Sequence, residues 1–210
     1  MSSITGTGCQ LSAVTAAYVT ANPDTPLEET MQALVDIVRS GKALYAGISN
    51  YPYEAAASAY RYLREHDVPC LLHQLKYNML HREPEDEGLL AQAQENGSGF
   101  IVFSPLAQGL LTDRYLNGIP ADSRAARNFS LKKDSLTPEM MHTLEQLNEI
   151  ARGRGQSLAQ MALAWVLNDN RVTSVIVGAS SVEQLKVNMQ SIKNTGFSEE
   201  EIRLIDKLTR

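Results

Sequence analysis

Residues 25–50 read TPLEETMQALVDIVRSGKALYAGISN, and the pattern in this stretch decides the fold. Thr25 and Glu28 form a capping-box pattern and Pro26 suits the first helical position, so a helix is predicted to begin here. Apolar side chains recur on one face of this helix until Gly41, a typical helix stop. The short apolar run at residues 44–48, which ends before Ser-Asn, predicts a buried strand. The stretch is therefore predicted to be one helix followed by one strand.

The same alternation continues toward the C-terminus. The pattern predicts, in turn, residues 53–65 (helix), 70–75 (strand), 89–94 (helix), 100–103 (strand), 137–150 and 157–167 (helices), 172–177 (strand), 182–192 (helix) and a last helix after Ser198. Parallel neighbouring strands need crossover connections, and helices bury the faces of such a sheet. The predicted class is therefore α/β with a parallel sheet.

Capping boxes mark two helix starts near the C-terminus. Ser157 is followed three positions later by Gln160, and Ser198 by Glu201.

Residues 104–137, in contrast, show few regular signals. Connections of that length are usually functional or disordered, so this segment is a candidate functional loop.

The composition describes a globular protein without features for nucleic acid or membranes. The chain has 210 residues, 43% hydrophobic content and a net charge of -5, which suits one substantial core. Its 19 basic residues are scattered, so neither nucleic acid nor an anionic membrane is an expected partner. Cys9 and Cys70 form no CxxC or cysteine–histidine pattern, so no metal site is predicted. Without a long apolar run or signal-peptide features, we expect a cytoplasmic protein.

Four predicted strands end in short polar loops, which we name stations 1 to 4. They are residues 47–50 (GISN), 73–74 (HQ), 103–109 (FSPLAQG) and 178–181 (GASS). In a parallel β/α barrel the loops after the strands gather on one face, where active-site groups lie. Taken singly, Ser-Asn after a strand is more often a turn or a helix cap, and a lone glutamine is usually a satisfied polar group. The order and spacing of the four loops give them functional meaning.

Four longer tokens carry a family resemblance. They are SGKALYAGISNY at 40–51, FSPLAQGLLTDRYLNGIP at 103–120, GQSLAQMALAWVL at 155–167 and SVIVGASSVEQL at 174–185. With these tokens, residues 25–208 resemble the C-terminal part of an aldo-keto reductase, with particular similarity to bacterial glyceraldehyde-phosphate or methylglyoxal reductases and to potassium-channel β subunits. The resemblance implies that residues 25–210 form the C-terminal half of a (β/α)8 TIM barrel, strands 5 to 8 with their helices. Residues 1–24 would be an atypical low-complexity segment.

The resemblance implies an NADP(H)-dependent oxidoreductase that acts on small aldehydes or ketones. Ser49, Asn50 and Gln74 would hydrogen-bond the nicotinamide carboxamide, and asparagine and glutamine suit this because each carries both a donor and an acceptor. Phe103 matches the position at which the family places an aromatic ring under the nicotinamide. Read without the resemblance, Phe103 would be a core residue.

Station 3 resembles a loop that wraps the pyrophosphate of the cofactor. Its matching residues are Ser104, Pro105, Leu106, Ala107, Gln108 and Gly109. Arg114 and Arg124 match the basic positions of the same clamp. Arginines form strong charge-assisted hydrogen bonds to phosphate, although a single arginine in a polar loop is often only solvated.

Station 4 resembles the turn and helix start that receive the adenosine phosphate, where exposed N–H groups favour an anion. Its matching residues are Gly178, Ser180, Gln184 and Asn188. Relatives tend to place glutamate immediately before the asparagine, whereas this chain has Val187, which cannot accept a hydrogen bond from adenine. Adenine binding and the preference for NADP over NAD therefore stay open.

The family's proton-donating residues cannot be matched to residues of this sequence. The family uses a tyrosine as the proton donor, helped by a lysine, an aspartate and a histidine. With Thr25-Pro26 aligned to the corresponding pair in relatives, the histidine position falls near Val19 and the other three before Met1. We therefore expect no catalytic residue in this sequence.

Three functions stay open at this point. The chain is a reductase descendant without its acid, a catalytically inactive nucleotide-binding or interaction module, or one half of a two-chain enzyme. Four strands of a barrel leave two open edges and an uncovered interior. We therefore expect self-association, a complementary N-terminal half, or recruitment of residues 1–24 as a substitute strand.

Overall fold

The structure is a computed structural model that describes residues 26–116 and 136–210. The chain divides into two compact units. The first comprises Met1–Leu75 and Glu87–Phe100, and the second comprises Lys76–Asp86 and Ile101–Arg210. Segment 1–24, Thr25 of the first capping box and Arg124 of the predicted clamp lie outside the described residues.

Helices and strands alternate along the described residues. In chain order they are α1 (Leu27–Arg39), β1 (Ala46–Ser49), α2 (Tyr53–Glu65), β2 (Cys70–Lys76), α3 (Glu83–Asp86), α4 (Leu89–Glu95), β3 (Gly99–Phe103), α5 (Pro138–Gly153), α6 (Leu158–Asn168), β4 (Val172–Val175), α7 (Val182–Met189) and α8 (Glu199–Thr209). Single 3-10 turns occupy Ala107–Gly109, Asp113–Tyr115 and Gln190–Lys193. The strands follow the order β1-β2-β3-β4, and β1 runs parallel to β2. This is the α/β class with a parallel sheet that the sequence predicted.

The first unit is held by small and aliphatic side chains. Helix α1 packs on α2 and β1, and α2 packs on α4. Met31 and Val35 of α1 are fully buried, as are Ala56 and Leu63 of α2. These positions fall on one face of each helix, which confirms the amphipathic pattern read from the sequence.

Gly47 permits the close pairing of β1 and β2. A Cβ atom at this position would lie 3.0 Å from the carbonyl oxygen of Leu72 and 3.3 Å from its Cβ. The register between the two strands is irregular at Ala46 and Gly47, after which Ser49 lies opposite Gln74. A side chain at 47 would push the strands apart and disturb the register that sets the ends of both strands.

Helix α6 forms the centre of the second unit. Leu158 and every residue from 161 to 166 are buried, and a helix that is apolar on nearly all sides must be surrounded by protein. It packs against α5, α7, β4 and the 3-10 turn that follows α7. The aromatic rings of Trp165 and Tyr77 lie 5.3 Å apart at their centroids, which joins α6 to the segment after β2.

Arginines with several carboxylate partners fasten the end of the chain in the second unit. Arg82 is 9% exposed, bonds Glu85 through Nε at 3.0 Å, and bonds Asp206 of α8 through Nη1 at 2.5 Å. Its guanidinium also lies 4.9 Å from the ring centroid of Trp165. Arg210 adds bonds to Glu85 at 3.0 Å and to Asp86 at 2.7 Å. These contacts hold α8 against α3.

Helix starts follow the capping signals where serine or threonine is present. The capping boxes predicted at Ser157 and Ser198 are both formed, and Thr137 caps α5. Helix α1 differs, because Pro26 is its N-cap without a side-chain cap bond and the helix begins one residue later than predicted.

Several strand and helix ends differ from the predicted ones by a few residues. Leu44 was predicted to open a strand, but β1 begins at Ala46 and the Leu44 side chain is 83% exposed. Strand β4 ends at Val175, although the N–H of Ile176 still donates to the carbonyl of Val102 at 2.8 Å. Helix α7 tightens into a 3-10 turn after Met189. No helix of the described residues is long and apolar enough to cross a membrane.

Candidate functional site

Unusual backbone geometry is concentrated at the stations. Five non-glycine residues of the described part of the chain have positive φ: Asn50, Asp67, Ser104, Ala107 and Gln108. All but Asp67 belong to station 1 or station 3. Left-handed backbone is uncommon for residues with a Cβ atom and persists where the surrounding structure imposes it, often at functional sites. The two loops are therefore held in specific conformations.

The first unit brings Ser49, Asn50 and Gln74 together. Ser49 lies opposite Gln74 in the β1–β2 register, and the Asn50 N–H donates to the Gln74 carbonyl at 3.0 Å. Asn50 has φ 59°, a conformation that asparagine adopts more readily than most residues. Its side chain is exposed, and those of Ser49 and Gln74 are half-buried. Ser49 thus ends β1, and Asn50 follows it. Gln74 lies inside β2, two residues before its end at Lys76, so station 2 was wrongly predicted to be a loop after the strand.

Two titratable groups flank this polar cluster in the first unit. His73, just before Gln74, is fully buried, and burial lowers the pKa of its imidazole to about 4. Its Nδ1 lies 3.1 Å from the hydroxyl of Tyr60, while its Nε2 has no hydrogen-bond partner in the structure. Burial also raises the pKa of Tyr51, which follows Asn50. Both groups are therefore neutral near pH 7.

Station 3 in the second unit is a compact series of turns. Ser104 has φ 54°, Ala107 φ 46° and Gln108 φ 59°. The Ser104 carbonyl accepts the N–H of Ala107 at 3.0 Å, and the Leu106 carbonyl accepts the N–H of Gly109 at 2.8 Å. Pro105 is buried, and Phe103, Leu106 and Gln108 are half-buried. The backbone of this loop is thus fixed largely by its own hydrogen bonds.

The end of station 3 requires a glycine. Gly109 has φ 103°, which a residue with a side chain adopts only under strain, and an added Cβ atom would lie 3.7 Å from the buried ring of Tyr115. Its carbonyl accepts the Thr112 hydroxyl at 2.7 Å, and Thr112 Oγ1 accepts the N–H of Arg114 at 3.3 Å. The predicted clamp residue Arg114 therefore follows station 3 on an ordered 3-10 turn with its side chain exposed.

Station 4 is ordered by side-chain bonds at the start of α7. Ser181 caps the helix by accepting the N–H of Gln184 at 3.1 Å. The Gln184 Oε1 atom accepts the backbone N–H of Ser180 at 2.7 Å and its hydroxyl at 3.0 Å. Gly178 is exposed and has open space around its Cα. The structure thus brings Ser180 and Gln184 together, and it places Gly178 two residues before them.

Asn188 lies near the end of α7 and is only 4% exposed. Its Nδ2 atom is buried and has no hydrogen-bond partner in the structure. The preceding carbonyl, that of Val187, accepts the Nε2 atom of Gln160 at 3.0 Å, so the start of α6 fixes the backbone beside Asn188. An unpartnered buried amide is costly, which marks this position as a candidate ligand contact.

Sequence reasoning missed two residues that organise the predicted loops. Asn78 donates from Nδ2 to the Ser104 carbonyl at 2.9 Å across 26 positions of sequence, and Gln160 contacts the Val187 carbonyl across 27. The Gln160 capping pattern was visible in the sequence, but its second contact was not. Among residues 26–116 and 136–210, no group of three or more His, Cys, Asp or Glu side chains could hold a metal ion.

Comparison with known proteins identifies the family of this chain. Residues 16–210 match the profile of the aldo/keto reductase family. The chain belongs to this family.

Individual relatives match over most of this chain and about half of their own length. The L-glyceraldehyde 3-phosphate reductase of Escherichia coli (strain K12) is 52% identical over 189 residues, which are 88% of this chain and 54% of that protein. A candidate voltage-gated potassium channel subunit beta of Schizosaccharomyces pombe is 33% identical over 193 residues, or 90% of this chain and 53% of that protein. The similarity to glyceraldehyde-phosphate reductases and channel β subunits read from the sequence is thereby confirmed.

A solved structure gives the same assignment. A thermostable aldo-keto reductase in complex with the inhibitor epalrestat aligns with a TM-score of 0.66 and 32% identity, covering 89% of this chain and 56% of that one. The α/β fold with its parallel sheet is therefore similar to the barrel of that enzyme. This chain spans about half the length of the relatives it matches.

Proposed function

We propose that this chain carries the cofactor-binding loops of an NADP(H)-dependent oxidoreductase that reduces small aldehydes or ketones. The observation that carries the proposal is the concentration of left-handed residues in stations 1 and 3, where Asn50, Ser104, Ala107 and Gln108 have positive φ. Proteins retain such geometry where it fixes a ligand contact. The four strands would correspond to strands 5 to 8 of the family barrel, in a protein that works in the cytoplasm.

Two buried polar atoms fit a dinucleotide as the ligand. The Oε1 atom of Gln108 and the Nδ2 atom of Asn188 are both buried without a hydrogen-bond partner. An acceptor and a donor left unpaired in this way gain most from a bound polar group, because each otherwise bears its desolvation cost alone. Both residues lie in the second unit, at stations proposed to hold phosphate and adenosine.

In the first unit, Ser49, Asn50 and Gln74 would hold the nicotinamide carboxamide. The bond from the Asn50 N–H to the Gln74 carbonyl fixes the end of β1 against β2, so the polar side chains start from defined positions. When bound, the cofactor supplies the hydride. The role of these residues would be to orient the carboxamide. Phe103, which belongs to the second unit, would offer a flat apolar surface to an aromatic ring.

In the second unit, station 3 would wrap the pyrophosphate, with Arg114 and Arg124 as its cations. Gly109 allows the backbone to turn where a side chain would be strained. Station 4 would take the adenosine phosphate through Gly178, Ser180 and Gln184, with Asn188 beyond them. Because Val187 offers no acceptor side chain for adenine, we infer weaker binding of the adenine base, which NADP and NAD share, than a glutamate would give.

Proton donation is not assigned to any residue of this chain. Tyr51 and His73 lie close to the proposed carboxamide group, but the pKa of Tyr51 is raised and His73 is sealed in the core. Neither is suited to donate a proton to a bound carbonyl compound. We infer that the acid comes from another part of the enzyme, in the same chain or in a second one.

Titration of the purified protein with NADPH, followed by nicotinamide fluorescence, tests the proposal. We expect saturable binding, and a variant carrying Gln108→Leu and Asn188→Leu should bind at least tenfold more weakly, because both unpaired polar atoms are lost. Methylglyoxal or L-glyceraldehyde 3-phosphate is then added. Turnover would require an acid within the protein as prepared, while binding without turnover fits loops that lack their acid. Absence of NADPH binding at millimolar concentration would reject the proposal.

A second function is favoured by an apolar stripe on the second unit. Val182, Leu185, Met189 and Ile192 follow a 3-4-3 spacing along α7 and its 3-10 extension, with exposed fractions of 72%, 41%, 57% and 64%. Contiguous exposed apolar surface usually marks an interface. We infer that this stripe receives a complementary N-terminal half of the barrel, since the relatives carry about as much chain again as they share with this one.

Co-expression tests this second function. The unmatched part of the Escherichia coli reductase serves as the tagged partner, and we expect it to co-purify with this chain. The double variant Leu185→Glu, Met189→Glu should abolish co-purification, whereas Glu183→Lys, also on α7, should retain it. Co-purification unaffected by the double variant would contradict the assignment of the stripe, and concentration-dependent dimers of this chain alone would favour self-association instead.

A further inference from the structure

Asn78 is a fully buried polar residue just beyond β2 in the second unit. Its Oδ1 atom accepts the N–H of Leu80 at 3.0 Å, and its backbone exchanges hydrogen bonds with His81 at 3.0 and 3.2 Å. These contacts form a tight turn that leaves the amide nitrogen with one orientation. That nitrogen donates to the Ser104 carbonyl at 2.9 Å.

Ser104 is the residue at which the chain leaves β3 and enters station 3. It has φ 54°, and serine has no intrinsic preference for this left-handed region. Its carbonyl accepts two donors, Asn78 Nδ2 at 2.9 Å and the N–H of Ala107 at 3.0 Å. The bond from Ala107 is local and would move with the loop. The bond from Asn78 instead ties the Ser104 carbonyl to a separately ordered turn.

We propose that Asn78 is a positioning residue for the cofactor: it holds Ser104 in the left-handed conformation and so keeps station 3 in the form that binds the pyrophosphate. This role rests on the proposed function. Without the amide donor, Ser104 relaxes toward ordinary backbone angles and only a fraction of molecules keeps the binding form. Apparent affinity falls in proportion to that fraction.

The Asn78 amide is required because its nitrogen donates to the Ser104 carbonyl while its oxygen accepts the Leu80 N–H. Asn78→Asp keeps the acceptor for the Leu80 N–H but places a carboxylate oxygen against the Ser104 carbonyl, where two acceptors repel. Asn78→Ala removes both bonds. We expect each variant to weaken NADPH binding about tenfold, with the aspartate variant retaining more of the turn at residues 78–81.

Ser104→Gly tests the mechanism because glycine adopts positive φ without strain. In an Asn78→Ala background it should restore most of the lost NADPH affinity, although it restores no hydrogen bond. Ser104→Val should weaken NADPH binding as much as Asn78→Ala does, with the turn at Asn78 intact. Asn148→Ala, which removes a buried amide of α5 outside the stations, is the matched control for Asn78→Ala and should leave the NADPH affinity unchanged. A purely structural role for Asn78 would show no rescue by glycine.

Amide hydrogen exchange on the cofactor-free protein separates this inference from the proposed function. In Asn78→Ala, exchange at residues 106–111 should accelerate at least tenfold, and addition of Ser104→Gly should slow it again. If wild-type protein does not bind NADPH but the exchange result holds, the proposed function fails and Asn78 is still the residue that orders station 3. Unchanged exchange in Asn78→Ala, or in Ser104→Val if the first variant does not fold, overturns the inference.

Discussion

The two units of this chain differ in the polar groups that they bury. In the first, buried polarity is neutral: the His73 imidazole faces the Tyr60 hydroxyl, and the Ser98 hydroxyl donates to the Cys70 carbonyl. In the second, buried neutral groups such as Asn78 are accompanied by an ionic cluster, in which Arg82 is held between Glu85 and Asp206. A neutral cluster is vulnerable to protonation, whereas an ionic one is vulnerable to the loss of a partner.

The two units also differ in how their helices are capped at the N-terminus. The N-caps of α1, α2 and α4 are Pro26, Pro52 and Gly88, none with a side-chain cap bond. In the second unit, α5, α6, α7 and α8 all begin at a serine or threonine whose side chain accepts a backbone N–H. The first unit therefore depends more on burial, and the second more on specific polar contacts.

Acidification should affect the first unit most. Burial lowers the pKa of His73 to about 4 from 6.5, so below pH 6.5 the unfolded chain takes up a proton that the folded chain excludes. The contribution of neutral His73 is complete above pH 6.5 and is lost as pH falls to 4, a change of about 3 kcal/mol. Urea unfolding between pH 4 and 8 measures it.

His73→Gln should flatten that acid limb, because an amide does not titrate. His142→Gln removes an exposed histidine of α5 and serves as the matched control. We expect the control to keep the slope of the wild-type protein. An equally steep acid limb in His73→Gln would show that another group causes the acid sensitivity.

Removal of the buried cation should be the next largest effect, and it falls on the second unit. Arg82→Met keeps an apolar stem beside Trp165 but removes the arginine that bonds Asp206 and leaves Arg210 as the arginine that bonds Glu85. We expect a loss of about 2 kcal/mol, below that of a fully buried pair because both carboxylates can be partly rehydrated. Thermal or urea unfolding at pH 7 measures it.

The control for Arg82 is an exposed pair in the same unit. Arg152 bonds Glu149 at 3.0 Å with both side chains about 70% exposed. Arg152→Met should therefore cost less than about 0.5 kcal/mol. Equal losses of unfolding free energy in the two variants would mean that the burial of Arg82 adds no stability. They would contradict the claim that the second unit depends on its ionic cluster.

The smallest expected effect concerns capping. Ser157→Ala removes the Oγ atom that accepts the Gln160 N–H in the capping box at α6 and should cost about 1 kcal/mol. Ser58→Ala, inside α2 of the first unit, should be neutral or slightly stabilising, because alanine has the higher helix propensity. Chemical unfolding of the two variants side by side gives the difference, and a neutral Ser157→Ala would argue against the dependence of the second unit on its caps.

Local sequence signals predicted the elements well. The capping boxes at Ser157 and Ser198 were readable because each motif spans four residues, and the helix over residues 53–65 was predicted with its observed ends. Strand ends were less predictable. Leu44 is as apolar as a strand residue, but the irregular pairing at Ala46 and Gly47 ends the ladder before it, and pairing depends on a distant partner.

The sequence named the residues of the candidate site, and their membership stays a prediction, but it did not reveal how they are organised. The family resemblance pointed to Ser104 and Asn188. The hydrogen bonds that hold these two positions come from Asn78 and Gln160 and act across 26 and 27 positions of sequence. No local period or motif encodes such a contact. The left-handed conformation of Ala107 was equally hidden, since nothing in alanine favours positive φ and only the loop's own hydrogen bonds impose it.

Amide hydrogen exchange with and without NADPH tests the central claim most directly, because it locates the cofactor on the chain. We expect NADPH to slow exchange in residues 104–112 and 178–188 of the second unit and in residues 48–51 of the first, with little change along α5 or α8. Saturable binding of NADPH that leaves stations 1, 3 and 4 unprotected would contradict the claim that these loops form the cofactor site.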